Sequence, residues 1–179
     1  SFSGEWRAFD LAIDLIETVI HPASGAPYVR RCASSVAFGY PSGLTRKAEK
    51  LRFLGRLSYA VAGLFTLPRE LMMQVAYDGS SAGRKTLTGI LVNNTRHVGG
   101  FTAIREAEVD DGVIDALELR AGYLSQTAHN LSEVAALGLW HPARHVQFRS
   151  AAIGVDTPST LMLDGELVLG TGGQCAQVV

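Results

Sequence analysis

The stretch Ala107–Asp115 constrains the fold more than any other. Two adjacent carboxylates, Asp110 and Asp111, meet Gly112, and apolar and polar residues then mix with strand-like spacing from Val113 to Leu119. Asp-Gly suits a tight turn because Asp tolerates, and Gly readily adopts, a positive φ. The stretch therefore reads as an acidic turn feeding a strand. The same dipeptide recurs at Asp78-Gly79 and Asp164-Gly165, again between strand-like runs. An Asp in such a turn can chelate a hard cation such as magnesium together with nearby carbonyls. An ordinary hairpin corner uses the same residues.

The rest of the chain fits strands joined by turns. Alternation over Trp6–Ile20 and Tyr28–Tyr40, separated by the Pro- and Gly-containing segment 21–27, predicts a hairpin. Leu44–Phe53 reads as a helix capped by Ser42, and Arg56–Thr66 as a second helix ended by Pro68. Strands are expected at Leu71–Tyr77, Thr86–Asn93 and Val113–Arg120, with a loop over Asn94–Asp111. A helix capped by Ser125 is expected over Leu124–Leu137. Short strands follow at Val146–Asp156, Thr160–Leu163, Glu166–Leu169 and Cys175–Val179. The sum is mainly β with inserted helices, most simply a β-sandwich or distorted barrel.

Of the 179 residues 47% are hydrophobic, enough to bury a core. A net charge of -1 offers no basic face for nucleic acid. Cys32 and Cys175 form neither a metal pair nor a disulfide framework, which favours a reducing, cytoplasmic setting. The apolar run Leu57–Leu67 is too short for a membrane span, which needs about 20 residues. Gly79–Thr86 misses the phosphate-loop pattern by one residue and is followed by a strand, so a hairpin turn is the better reading. His141 and His145 have metal-like spacing without further ligands, and read as loop histidines exposed to solvent. Arg46, Lys47, Lys50, Arg52 and Arg56 cluster on and after one helix, either as a solvated face or as a contact for phosphate or an anionic membrane. Asp164 and Glu166 flank Gly165, a spacing open to two readings: a metal ligand with a general base, or a hairpin corner.

Four stretches in order carry a resemblance. They are Ser35–Tyr40, a strand ending in an aromatic-glycine turn; Ala48–Gly55, containing Glu-Lys-x-Arg-x-Leu-Gly; Val92–Asn94 through Gly99-Gly100-Phe101 to Asp110–Asp115; and Leu163-Asp164-Gly165-Glu166. Together they resemble the C-terminal half of the diacylglycerol, sphingosine and ceramide (lipid) kinase superfamily, NAD kinase-like in fold. The resemblance implies an ATP-dependent lipid kinase of phospholipid or sphingolipid metabolism, with its active site between an N-terminal nucleotide domain and a C-terminal β-sandwich. Residues 1–179 then form a single C-terminal lipid-kinase domain. The nucleotide-binding domain is absent from this chain, and the fragment is expected to be inactive alone. By the same resemblance, Asp111 ligates magnesium with the backbone carbonyls of Glu108 and Val113, and Asp164 or Glu166 is the base or faces the catalytic magnesium. By the resemblance, Arg52 matches a basic residue that approaches nucleotide phosphate in sphingosine kinases, which implies a contact to ATP here. Ser58 stands where that run has a second basic residue, and Arg105 where the family commonly has Pro. The implied partners are a diacylglycerol-like or sphingoid-like lipid, a peripheral membrane contact and, as a possibility, a second copy of the chain. Leu57–Leu67 is the candidate apolar wall. The alternatives are a non-catalytic lipid- or protein-binding β-sandwich module and a soluble-substrate kinase nearer to NAD kinase.

Overall fold

Alternating sequence becomes strand almost everywhere the chain is described. In the computed structural model the described residues are 13–22, 24–55, 58, 61–62, 71–98, 101–120 and 144–178. Among them the strands run in chain order as β1 (Leu15–Pro22), β2 (Tyr28–Cys32) and β3 (Ser35–Gly39), followed by helix α1 (Tyr40–Lys50) and a 3-10 turn at Arg52–Leu54. Then come β4 (Leu71–Tyr77), β5 (Gly83–Asn93), β6 (His97–Val98), β7 (Phe101–Thr102), β8 (Ile114–Arg120), β9 (Arg144–Phe148), β10 (Ser150–Leu163) and β11 (Glu166–Val178).

Nine strands form one antiparallel sheet in the order β2-β1-β11-β10-β3-β5-β8-β9, with β4 pairing both β10 and β5. The register shows why β4 lies off the simple path. On β5, Gly39 opposes Gly89 and Leu71 opposes Leu87. On β10, Phe38 opposes Leu161 and Met73 opposes Val155. β3 and β4 thus share one lane between the same two long strands; the chain leaves that lane after Gly39 into α1 and is back in it at Leu71. The exit is tight. A Cβ on Gly89 would lie 2.5 Å from the Phe38 carbonyl oxygen and 2.6 Å from Pro41 Cδ, and Gly39 holds φ at +76° with Thr88 O equally close. Only glycine fits such a crossing without displacing backbone.

Ile16 of β1, Phe38, Ile90, Ile114, Phe148 of β9 and Leu161 belong to one apolar core. Strands from opposite ends of the sheet order share that core, so the sheet curls over its own face as a sandwich does. The central strands are also covered outside: Ala37, Leu91, Leu117 and Met162 pack under Ile104 and Ala107. Burial on both faces explains why Leu87–Val92 reads as a nearly continuous apolar run. Leu44 and Ala48 of α1 pack with Ala62 in a third, smaller cluster.

Several boundaries differ from the sequence reading. The single strand expected over Tyr28–Tyr40 is two, because the chain bends at Ala33-Ser34 and changes neighbours from β1 to β10 and β5. α1 begins at Tyr40 rather than Leu44, with Pro41 in its first turn, and Ser42 is no cap: its hydroxyl donates to Ala37 O at 2.8 Å. The loop expected over Asn94–Asp111 contains the β6–β7 hairpin. The four short strands expected near the C-terminus are instead β9 and two long strands, β10 and β11. β11 pairs on both edges, which carries Gly170, Gly172 and Gly173 through an extended strand. Pro158 falls where the β10–β11 register shifts, the place a sheet tolerates proline. Of the expected helix Arg56–Thr66 and the Leu57–Leu67 wall, only Ser58, Val61 and Ala62 are described. They are helical, and Ala62 is fully buried, which favours core for that residue. Trp6–Ala12, the helix Leu124–Leu137 and His141 lie outside the described residues.

Candidate functional site

Strand register gathers the two acidic bends at one end of the sheet. Ser35, the first residue of β3, opposes Asn93 at the end of β5, and Asn93 opposes Asp115 at the start of β8. Leu163, the last residue of β10, opposes Val36. The loop that enters β8 and the turn that leaves β10 are 53 positions apart from Asp111 to Asp164, yet they open on the same edge.

The Asp164 bend is a two-residue hairpin: Leu163 pairs with Glu166, and Asp164 and Gly165 have φ of +46° and +93°. Asp164 does more than turn the chain. Its Oδ1 accepts the amides of Ser34 at 2.9 Å and Ser35 at 2.8 Å, its Oδ2 accepts that of Ala33 at 2.7 Å, and its own N–H donates to Ser35 O at 2.9 Å. These bonds fix the β2–β3 corner that the sequence reading missed. The opposite end of the sheet repeats the device. Asp78, at φ +49°, accepts the amides of Arg149 at 2.8 Å and Ser150 at 2.9 Å, and its N–H donates to Ser150 O. Glu166 instead points outward, its side chain 68% exposed, and pairs with Arg30 of β2.

The Asp111 bend is held by a residue that the sequence showed only as part of an alternating strand. Asp14, almost fully buried, donates its N–H to Val109 O at 2.7 Å and accepts the Gly112 amide on Oδ2 at 2.8 Å. It thereby grips both sides of Asp110-Asp111. The Asp111 carboxylate is exposed and takes the Val113 amide on Oδ1 at 3.1 Å, while Gly112 adopts φ +77°. Glu108 is exposed and lies 3.7 Å from Arg96, whose Nε donates to Ala107 O at 3.1 Å. Arg105, where the resemblance led us to expect Pro, is exposed, and the loop still closes on Asp14.

A continuous hydrogen-bond path joins the bends. Asp164 Oδ1 accepts from Ser34, Ser34 O accepts from the Asn94 amide at 2.8 Å, Asn94 Nδ2 donates to Asp14 O at 2.6 Å, and Asp14 Oδ2 holds Gly112. Asn94 and Asp14 are both buried, so water competes little for these contacts. Among the described residues no group of three or more His, Cys, Asp or Glu side chains is placed to hold a metal ion. With a single side-chain ligand, Asp111 could hold a magnesium ion that keeps most of its waters, but not one in an all-protein cage.

Other residues fall around or away from this edge. Cys32 ends β2, and its thiol is pushed up to about 11, first by burial and then by the charge of Asp164. It stays protonated at neutral pH and is no nucleophile. Arg52 is exposed in the 3-10 turn after α1, and no contact among the described residues links it to either bend. Ser58 is buried. His145 corrects the loop-histidine reading: it lies on β9 with its side chain one-third exposed, and its Nε2 is 2.5 Å from Oδ1 of fully buried Asp115. At the far end, buried Glu118 binds Lys85 Nζ at 2.5 Å and the Tyr77 hydroxyl at 3.0 Å. The alternation that made β8 legible hid these inward acids as ordinary polar positions.

The profile of the YegS C-terminal NAD kinase beta sandwich-like domain matches residues 34–179. The chain belongs to this family. It is a kinase-family domain with the NAD kinase-like fold. A diacylglycerol kinase from Bacillus anthracis str. Sterne superimposes with a TM-score of 0.65 at 19% identity, covering 93% of this chain and 53% of its own. Yeast NADH kinase complexed with NADH gives a TM-score of 0.51 at 13% identity, covering 94% of this chain and 40% of its own. At such identities the likeness establishes the fold. The chain spans about half the length of the diacylglycerol kinase it matches. A comparison with curated protein sequences gives no match. No described helix is long and apolar enough to cross a membrane.

Proposed function

We propose that this domain serves an ATP-dependent lipid kinase that phosphorylates the hydroxyl of a diacylglycerol-like or sphingoid-like lipid. The observation that carries the reading is the hydrogen-bond path joining the Asp111 and Asp164 bends on one edge of the sheet. Phosphoryl transfer needs an acceptor for the hydroxyl proton, neutralised phosphate charge and in-line positioning. Glu166 is the better base of the two candidates, because its carboxylate is exposed while that of Asp164 is occupied by three backbone amides. In this reading Asp164 sets where Glu166 stands, and Arg30 orients it. The lipid oxygen attacks the γ-phosphorus, Glu166 takes the proton, and ADP leaves. Asp111, with the carbonyls of Glu108 and Val113, would hold magnesium; when bound, that ion supplies positive charge that orders the loop and the cleft rim. Arg52 is the chain's candidate contact to nucleotide phosphate.

The 179 residues contain no Gly-Gly-Asp-Gly sequence, so the nucleotide grip is expected from a second domain, and this chain alone should turn over no ATP. In the full-length protein, Glu166→Gln should lower phosphate transfer from ATP to lipid by roughly 100-fold or more, the usual worth of a general base. A rate near wild type would remove Glu166 from the chemistry. The second reading, a non-catalytic lipid- or protein-binding sandwich, has one observation in its favour: Asp78 uses the same amide-binding turn at the other end of the sheet, away from both acidic bends of the candidate site. Lipid phosphorylation by the full-length protein would exclude that reading.

A further inference from the structure

Two buried oxygens on one rung of the sheet lack a hydrogen-bond donor. Asn93 ends β5, and Asp115 lies directly across from it on β8. Both are fully buried. Asn93 spends its Nδ2 on Thr95 O, and Asp115 Oδ1 lies 2.5 Å from His145 Nε2. Asn93 Oδ1 and Asp115 Oδ2 are then left buried with no hydrogen-bond partner among the described residues. A carboxylate oxygen kept from water and left unpaired is costly, so this rung calls for a donor or a cation.

We propose that Asp115, flanked by His145 and Asn93, binds a divalent transition-metal ion of the zinc type. Directly opposed residues of an antiparallel pair share a face, and so do residues two apart on one strand. Asn93 opposes Asp115, and His145 opposes Leu117, two positions on from Asp115. The three side chains therefore share one face on three adjacent strands, with the carboxylate in the middle. A bidentate Asp115 would receive the imidazole from β9 and the carboxamide oxygen from β5, four donor atoms in all. The ion would take the place of the hydrogen bond between Nε2 and Oδ1. His145, its side chain one-third exposed, gives it a way in from solvent. Leu91 and Leu117 lie on the same face and pack under Ile104 and Ala107, so the ion would fasten three strands beneath the loop that carries Asp111. The described residues hold no metal-binding trio of His, Cys, Asp and Glu; here the third donor is a carboxamide. An imidazole beside a carboxylate favours zinc-like ions over magnesium, which prefers oxygen ligands. The proposal rests on strand packing, so it stands or falls separately from the phosphotransfer reading.

Titration of the full-length protein with zinc chloride against a chelating dye tests it. Wild type should hold zinc at micromolar concentration, and millimolar magnesium should not displace it. His145→Gln should weaken that binding by about 100-fold or more, since losing only an outer-shell partner costs about 10–100-fold. Nuclear magnetic resonance of the imidazole rings gives a second measurement on wild type, needed if His145→Gln fails to fold: zinc should move the Nε2 resonance of His145. An unmoved resonance, equal zinc binding by wild type and folded His145→Gln, or displacement by magnesium would overturn the proposal. Absence of zinc binding would overturn it too, and would leave the two oxygens to a buried water.

Discussion

Replacing Asp164 by alanine should unfold the chain more readily than replacing any exposed carboxylate. The substitution removes the acceptors of three amides, those of Ala33, Ser34 and Ser35. Ala33 is exposed and Ser34 partly so, and water can replace the acceptor there. Ser35 is 3% exposed, and a buried amide without a partner costs about 1–3 kcal/mol. Asp164 also holds φ at +46°, which costs an alanine about 1–2 kcal/mol. Adding the weakened Ser34 bond brings the expected loss to about 3–5 kcal/mol, a large share of the 5–15 kcal/mol typical of a domain. Asp164→Asn keeps the left-handed turn and one acceptor oxygen, and should lose only about 1 kcal/mol. Glu166→Gln, on an exposed side chain, should change stability by no more than about 0.5 kcal/mol. Urea unfolding followed by circular dichroism measures all three. If Asp164→Ala matches wild type within 0.5 kcal/mol, the carboxylate does not hold the β2–β3 corner, and the division of labour between Asp164 and Glu166 fails with it.

Gly89→Ala should be among the most damaging small changes, costing about 3 kcal/mol or more, because its Cβ would meet backbone at 2.5 Å; thermal unfolding would show it. Lys85→Met should cost about 3–5 kcal/mol by leaving Glu118, 2% exposed, without its cation. Lys85→Met with Glu118→Gln should recover part of that loss; equal losses in the single and double variants would mean that the pair is not the cause. Cys32 loses its proton near pH 11 when folded but near 9 when unfolded. Its protonated thiol therefore adds stability that is complete below pH 9 and fades as pH rises through about 11, and Cys32→Ala should flatten that part of the stability curve. Asp14→Ala should free the Gly112 amide and the Asp111 loop, seen as faster amide exchange at Gly112 while the exchange at Ser35 stays slow.

Local chemistry made much of the fold legible. Alternation at Ile114–Leu119 and the paired positive-φ geometry of Asp164-Gly165 are properties of a few adjacent residues, and both appear where they were expected. The two acidic turns of the candidate site were legible as turns, since each turn's sequence carries its own conformational signature. The partners of those turns were not. Asp14 lies 98 positions before Gly112, and Ser34 lies 130 before Asp164. A carboxylate that will bind a distant amide looks in sequence like one that will face water.

The amino-acid order by itself determined that this chain is built of strands, where its Asp-Gly turns fall and which carboxylates sit in them, because φ preference and side-chain period act over a handful of residues. Tertiary structure alone decided that β3 and β4 share one lane around an excursion, that one acidic bend is tethered through Asp14, and that Asp164 is spent on backbone amides while Glu166 meets solvent. Those outcomes depend on which strands become neighbours, and strand pairing is settled by the burial of the whole sheet.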